Sequence, residues 1–430
     1  MARWLKSRRH HDLTNYSSLM KFLHVIASMD PKTGGTCQLI RNLASWFNEH
    51  DHVMEVVCLD APDSSFLSQE KIPVHALGQS RSQWSYHPAL QPWLNENLPR
   101  FDVIILNGLW QYPGYALMKA VRRPGMPPYF VFPHGMLDPW FQRNPERRIK
   151  AVRNWFYWKL IEERVVHGAE GLLFTSMEEM RLARETFTPY TPKRELSVGC
   201  GIPQPPEYHT RMETAFAEKC PAVRGKPYFL FLSRIHSKKG IDLLINAYAD
   251  FCRSRNDAAS SQIPKLVIAG PGLETPFGQD MQKLAAQICP PDSVYWPGML
   301  TGDAKWGALY HCEAFVLPSH QENFGIAVVE ALACGRPVLI SDQVNIWREI
   351  KEDAAGLVAG DKLDGARQLL QQWGSLSLTD KAAMAKAAKS SYENRFTVAL
   401  TAQRLLAAVG DLTIGERQNS LPRSEAKIQK

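Results

Sequence analysis

Short runs of apolar, β-branched and aromatic residues recur along the chain at residues 22–29, 53–59, 103–106, 129–132 and 171–176. A second set follows at 228–233, 265–270, 294–298, 314–319 and 337–341. The runs are almost continuously apolar, and the stretches between them carry apolar residues at helical spacing. Strands of that kind, alternating with helices, predict parallel sheets buried on both faces. Two sets predict an α/β protein of two doubly wound, Rossmann-like domains. Between them, residues 201–227 hold five prolines and no strand pattern, and read as a linker. The expected division is an N-terminal domain over 1–205, a C-terminal domain over 206–400, and a helix with a polar, mobile tail over 401–430.

The length of 430 residues fits two domains. The eight cysteines are scattered singly, with no zinc spacing, which predicts reduced thiols and no metal. No apolar run approaches the ~18 residues of a membrane span, and no apolar core follows the basic start as in a signal peptide. The expected residence is cytoplasmic. A net charge of +7 is too diffuse to imply nucleic acid. Basic residues cluster at Arg3, Lys6, Arg8 and Arg9 and again over 143–160, where Trp155, Phe156, Tyr157 and Trp158 intervene. That mixture suits peripheral contact with an anionic membrane; it equally suits a surface helix whose aromatic side packs on its own domain.

Candidate chemistry gathers where strands end. Gly34 and Gly35 separate the first strand from an amphipathic helix carrying Leu39, Ile40 and Leu43. Glycines there let backbone pass close to a ligand, and a helix N-terminus favours an anion, although two glycines after a strand more often make only a turn. In the second domain Arg234 ends a strand and Lys239-Gly240 precede a helix: fixed cations of the kind a diphosphate leaving group requires, although a single such loop reads as readily as a pair of solvated cations. The stretch "LPSHQENFGIAVVEALACGRPV" places Glu322 just before a helix that stops at Gly335. Glu330 falls about two turns further along it. Each carboxylate can accept two hydroxyl hydrogen bonds and so clamp a diol. Glu330 lies in an apolar run, where a carboxylate needs partners.

The succession "SRIHSKKG", "VIAGPG", "YWPGML" and "LPSHQENFGIAVVEALACGRPV" resembles family 4 of the retaining glycosyltransferases, of GT-B fold and E-x7-E type, over about residues 20–400. "PHGMLDPW" and "VNIWREI" resemble members acting in exopolysaccharide, capsule or O-antigen assembly. The resemblance implies a nucleotide-diphosphate sugar, UDP- or GDP-linked, as co-substrate, without metal or other cofactor. It implies that Arg234 and Lys239 neutralise the diphosphate. Glu322 with the amides of Asn323, Phe324, Gly325 and Ile326 would hold sugar hydroxyls and a phosphate, and Glu330 the ribose. Backbone near Gly298 and Met299 would face the base, Gly34 and Gly35 the diphosphate, and His134 the reacting sugar. Two positions depart from the pattern: Asn107 stands where many relatives carry histidine, and Cys200 where asparagine is common.

The reaction implied is hexosyl transfer to a hydroxyl of a glycan or lipid-linked glycan, with retention, in cell-surface polysaccharide biosynthesis. No carboxylate pair argues for double displacement, so front-face attack is expected. A non-catalytic nucleotide-sugar-binding assembly partner on the same scaffold is the alternative. An NAD(P) oxidoreductase is disfavoured by the lack of G-x-G-x-x-G, and a sugar phosphorylase by the lack of a pyridoxal-phosphate lysine site.

Overall fold

The computed structural model describes residues 19–80, 82–255 and 263–419. The first basic cluster, at residues 3–9, and the end of the tail lie outside them. Seven parallel strands build the first sheet: β1 (Lys21–Val25), β2 (Val53–Cys58), β3 (Val74–Ala76), β4 (Val103–Asn107), β5 (Tyr129–Phe132), β6 (Gly171–Phe174) and β7 (Glu195–Ser197). Their order is 3-2-1-4-5-6-7. Six parallel strands build the second: β8 (Tyr228–Leu232), β9 (Lys265–Ala269), β10 (Val294–Gly298), β11 (Ala314–Leu317), β12 (Val338–Ser341) and β13 (Gly356–Ala359), in order 10-9-8-11-12-13. Strand order reverses beside β1, next to β4, and beside β8, next to β11. At such switch points the loops after adjacent strands diverge and leave a crevice for ligands.

All ten expected strand runs form strands, and β3, β7 and β13 were not anticipated. The first two are three residues long and half-buried throughout, and β13 is buried only at Ala359. The central strands are apolar because helices cover both faces, as in β4, β5 and β11, where every residue is buried. The first helix, Gly35–Glu49, buries Leu39, Ile40, Leu43 and Phe47 and leaves its other side polar.

The proline-rich segment is more structured than a linker. It contains the helix Thr210–Lys219, whose Met212 and Phe216, four residues apart, are buried. This helix packs on Gly302–His311, where a side chain at Gly307 would come within 2.1 Å of the Met212 carbonyl oxygen. The actual crossing between domains is short and double. Ile202 donates its N–H to the Phe396 carbonyl at 2.9 Å, and its own carbonyl accepts from Tyr392 Oη at 3.0 Å. The last helix, Val398–Asn419, then returns to pack beside Gly35–Glu49.

Phe216→Ala should destabilise the protein by about 3 kcal/mol, because it opens a cavity in a close-packed interface. Urea denaturation checks this; a loose linker would tolerate the change.

Candidate active site

The residues expected to act together come from the carboxyl ends of β1, β5, β8 and β11, so the sheets present their ligand-binding edges to each other. Lys239 lies in the turn Ser237–Lys239 after β8. Gly240 follows in the left-handed region, φ 65°, where an added Cβ would lie 2.1 Å from the Pro318 carbonyl oxygen. That close approach sets the turn against the end of β11. Lys239 Nζ there donates to Glu322 Oε2, joining two predicted residues across adjacent strand ends. Arg234 is exposed at the end of β8 and makes no ion pair among the described residues.

The helix Ile326–Ala333 begins right after Gly325, a residue with φ 81° and no side chain to cap the first N–H groups. The amides of Asn323–Ile326 thus enter the start of a helix beside Glu322, and helix N-termini attract phosphate. The Phe324 side chain is buried against Phe396, so only its backbone is available to a ligand. Glu330 sits on the same helix, and Lys305 Nζ donates to its Oε1 at 2.7 Å. Lys305, on Gly302–His311, is a partner that sequence reasoning missed; its sole signal was the need of a half-buried carboxylate for a cation. Gly298 ends β10 with φ 74° and open space at its Cα, beside Met299, which is 65% exposed.

The N-terminal domain closes over this wall. A Cβ on Gly35 would lie 3.1 Å from Ile326 Cδ1, and one on Gly135 would meet the Asn323 side chain at 2.7 Å. Gln321 Nε2 donates to Asp138 Oδ2 at 2.8 Å, with both side chains buried. Asn323 Nδ2 donates to Thr175 Oγ1 at 3.2 Å. Lys238 Nζ lies 5.3 Å from the ring centres of both Trp140 and Phe141. Burial pulls this ammonium down to about 8, with neighbouring Glu322 opposing. The motifs "PHGMLDPW" and "SHQENFG", separate in sequence, are therefore in direct contact.

His134 is held in an unusual backbone conformation, φ 52°, followed by Gly135 at 79°. Glu179 anchors this loop. It caps the carboxyl end of β6 by accepting from Thr175 N at 2.7 Å and Thr175 Oγ1 at 2.6 Å, and it accepts from Gly135 N at 2.5 Å. The imidazole stacks on Phe132 with ring centres 4.3 Å apart. Asn107, the departure noted in the sequence, orients it. Asn107 Nδ2 donates to the Ile105 carbonyl at 3.0 Å, which turns Oδ1 toward His134 Nε2, 3.2 Å away. Nε2 therefore carries the proton and Nδ1 is left as an acceptor. Nδ2 also meets His24 Nδ1 at 3.1 Å, so the His24 proton is on Nε2, a buried atom without a partner among the described residues. Burial, above all, holds His24 down to about 4 and His134 to about 3, the latter helped by neighbouring His24. Cys200, the other departure, is buried and pushed up to about 12 by burial, a poor nucleophile.

A cavity of about 1010 Å³ lies elsewhere, beside the crossing between domains, lined by Trp46, Phe66 and Tyr392 among others. Arg41 and Glu70 in its wall bond each other, and it contains none of the predicted residues.

Two facing Rossmann-like domains with the ligand-binding ends of both sheets turned to one cleft make the GT-B glycosyltransferase fold. Residues 34–198 match the family model for the glycosyl transferase 4-like domain, and residues 213–390 that for glycosyl transferases group 1. Among curated proteins, D-inositol 3-phosphate glycosyltransferase of Frankia alni is 34% identical over 34% of this chain and 35% of its own length. The protein of the same name from Kribbella flavida is 30% identical over 57% of this chain and 58% of its own length. The chain thus spans about a third to three fifths of such relatives. Among solved structures, a glycosyltransferase from Rickettsia africae ESF-5 has a TM-score of 0.72 at 14% identity, covering 92% of this chain and 99% of that one. Anabaena HepE in complex with UDP and glucose has a TM-score of 0.68 at 16% identity, covering 94% and 100%. At these identities the structural likeness establishes the fold.

Two outcomes are expected. Glu179→Ala, which strips three buried donors of their acceptor, should cost about 3 kcal/mol in urea denaturation. Both histidines titrate below the ordinary 6.5, so the unfolded chain takes up their protons first. Their contribution is present above about pH 6.5 and is lost as pH falls toward about 4. The fall in Tm from pH 7 to 4.5 should therefore shrink in His24→Gln.

Proposed function

We propose that this chain is a retaining, metal-independent hexosyltransferase. It moves a sugar from a UDP- or GDP-sugar to a hydroxyl of a glycan or lipid-linked glycan, in assembly of a cell-surface polysaccharide. The observation that carries the reading is the convergence of Lys239, Glu322 and the Ile326 helix N-terminus with Gly35 and the His134–Gly135 loop across one cleft. Cations and uncapped amides suit a diphosphate, and paired carboxylates suit diols. In this reading Arg234 and Lys239 stabilise the departing nucleoside diphosphate. Glu322 orients the sugar, and Glu330 with Lys305 takes the ribose. Gly298 and Met299 border the base.

In the proposed step the bond from the anomeric carbon to the phosphate oxygen breaks as the acceptor oxygen bonds to the same face. The acceptor proton passes to the leaving phosphate. Charge develops on the diphosphate, so fixed cations lower the barrier more than they tighten ground-state binding. The neutral imidazole of His134 offers Nδ1 as a hydrogen-bond acceptor without adding charge beside the oxocarbenium-like sugar. The HepE complex with UDP and glucose supports a UDP-hexose donor. The names of the curated relatives favour a second reading of the acceptor, a small phosphorylated polyol such as an inositol phosphate.

Arg234→Ala and Lys239→Ala, by loss of transition-state charge stabilisation, and Glu322→Ala, by loss of sugar orientation, should each lower turnover roughly 100-fold or more. Assays with a panel of UDP- and GDP-sugars on glycan, lipid-linked and inositol phosphate acceptors check this. Survival of turnover in all three variants sinks the assignment. Donor binding by the unaltered chain without transfer to any acceptor would favour the non-catalytic alternative.

A further inference from the structure

The segment Arg148–Glu162, the helix Arg148–Tyr157 continued by a wider turn over Trp158–Glu162, turns an apolar stripe outward. At 100° per residue, Ile149, Val152 and Phe156 fall within an arc of about 60°, with Leu160 continuing the row. Ile149 is 88% and Leu160 65% exposed, and Val152, Trp155 and Phe156 are exposed as well. Asn154 and Trp158, on the opposite side, are buried. The aromatic run is therefore divided: Trp158 packs into the domain against Phe187, and Trp155 and Phe156 face out. Arg148 and Lys159 border the stripe on one side, Arg153 and Lys150 on the other. No Asp or Glu occurs between Arg147 and Ile161. Among the described residues, none of these four cations is in an ion pair.

This face is tied to the cleft. Tyr157 Oη accepts from Trp84 Nε1, and its ring lies 6.2 Å from that of Trp110. Trp110 N donates to buried Glu162 Oε1 at 2.6 Å. Trp110 stands three residues beyond Asn107, the residue that orients His134.

We propose that this face is a docking surface for an anionic phospholipid bilayer, seating the N-terminal domain so that a lipid-anchored acceptor reaches the end of β4. Apolar side chains enter the acyl boundary, Trp155 suits the headgroup level, and the flanking cations meet lipid phosphates. The charge pattern selects this occupant: a second copy of the chain would set these unpaired cations against their own counterparts, whereas an anionic bilayer neutralises them. The acceptor half of the inference rests on the glycosyl-transfer reading; the docking half does not.

The test is co-sedimentation of the full chain with vesicles of pure phosphatidylcholine, or with about a third phosphatidylglycerol added. Binding is expected to the mixed vesicles and at least tenfold weaker to the neutral ones. Replacing Ile149, Val152, Phe156 and Leu160 together by Ser should reduce it at least tenfold with Tm and circular dichroism unchanged. Lys150→Gln with Arg153→Gln should reduce it about fivefold per cation and lessen its salt sensitivity. Equal binding to neutral vesicles, indifference to the quadruple change, or a dimer in sedimentation that the quadruple change dissociates would overturn the proposal. A thermal-shift scan with UDP- and GDP-sugars runs in parallel: vesicle binding without nucleotide-sugar binding leaves docking intact and removes the transfer reading.

Discussion

The structure depends on two loops that meet where the sheets face each other. Asp138, after β5, and Gln321, after β11, share a buried hydrogen bond, and beside them Gly135 lies against Asn323. A Cβ at Gly135 would force the Asn323 side chain to move, and one at Gly35 would need Ile326 Cδ1 to give by a few tenths of an ångström. This proximity brings a helix start in one domain to a helix start in the other. Two sets of N–H groups then border one narrow space. Phosphate recognition by backbone needs that geometry, since amide dipoles act over the first turn only.

The charges of the cleft wall are arranged in pairs. Lys239 faces Glu322 and Lys305 faces Glu330, all at most partly exposed. A carboxylate in a helix as apolar as Ile326–Ala333 is costly alone, and Lys305 supplies its ion-pair partner. Each pair engages one carboxylate oxygen, Oε2 of Glu322 and Oε1 of Glu330. His134 follows the opposite logic. Its neighbours are an amide, an aromatic ring and another neutral imidazole, so it is held uncharged and in one tautomer.

Much of this was legible in the sequence, because buried parallel strands are continuously apolar and because the signature motifs are local. β4, β5 and β11 could hardly be missed. The edge strands β3, β7 and β13 escaped since half-buried, short segments carry little periodicity. The helix Thr210–Lys219 escaped because its prolines lie outside it and its apolar face is only two residues wide. Pairwise facts were the least legible. Nothing in the sequence around Lys305 announces Glu330, 25 residues away. Asn107 was visible as a departure, yet its meaning required the Ile105 carbonyl and both histidines to be seen together.

The distribution of contacts also separates what holds the domains together from what holds the cleft shut. At the crossing, Gly201 approaches Val398 backbone so closely that a Cβ would lie 2.5 Å from its Cα, and Tyr392 fastens Ile202. The last helix then buries Leu405, Leu406 and Val409. Opening the cleft breaks mainly polar contacts, Asp138–Gln321, Thr175–Asn323 and Glu178–Arg348. The neutral Thr175–Asn323 bond contributes about 1 kcal/mol and the two bonds to carboxylates about 1.5–3 kcal/mol each, net of the water that replaces the lost partner. A rotation about the crossing therefore costs far less than separating it.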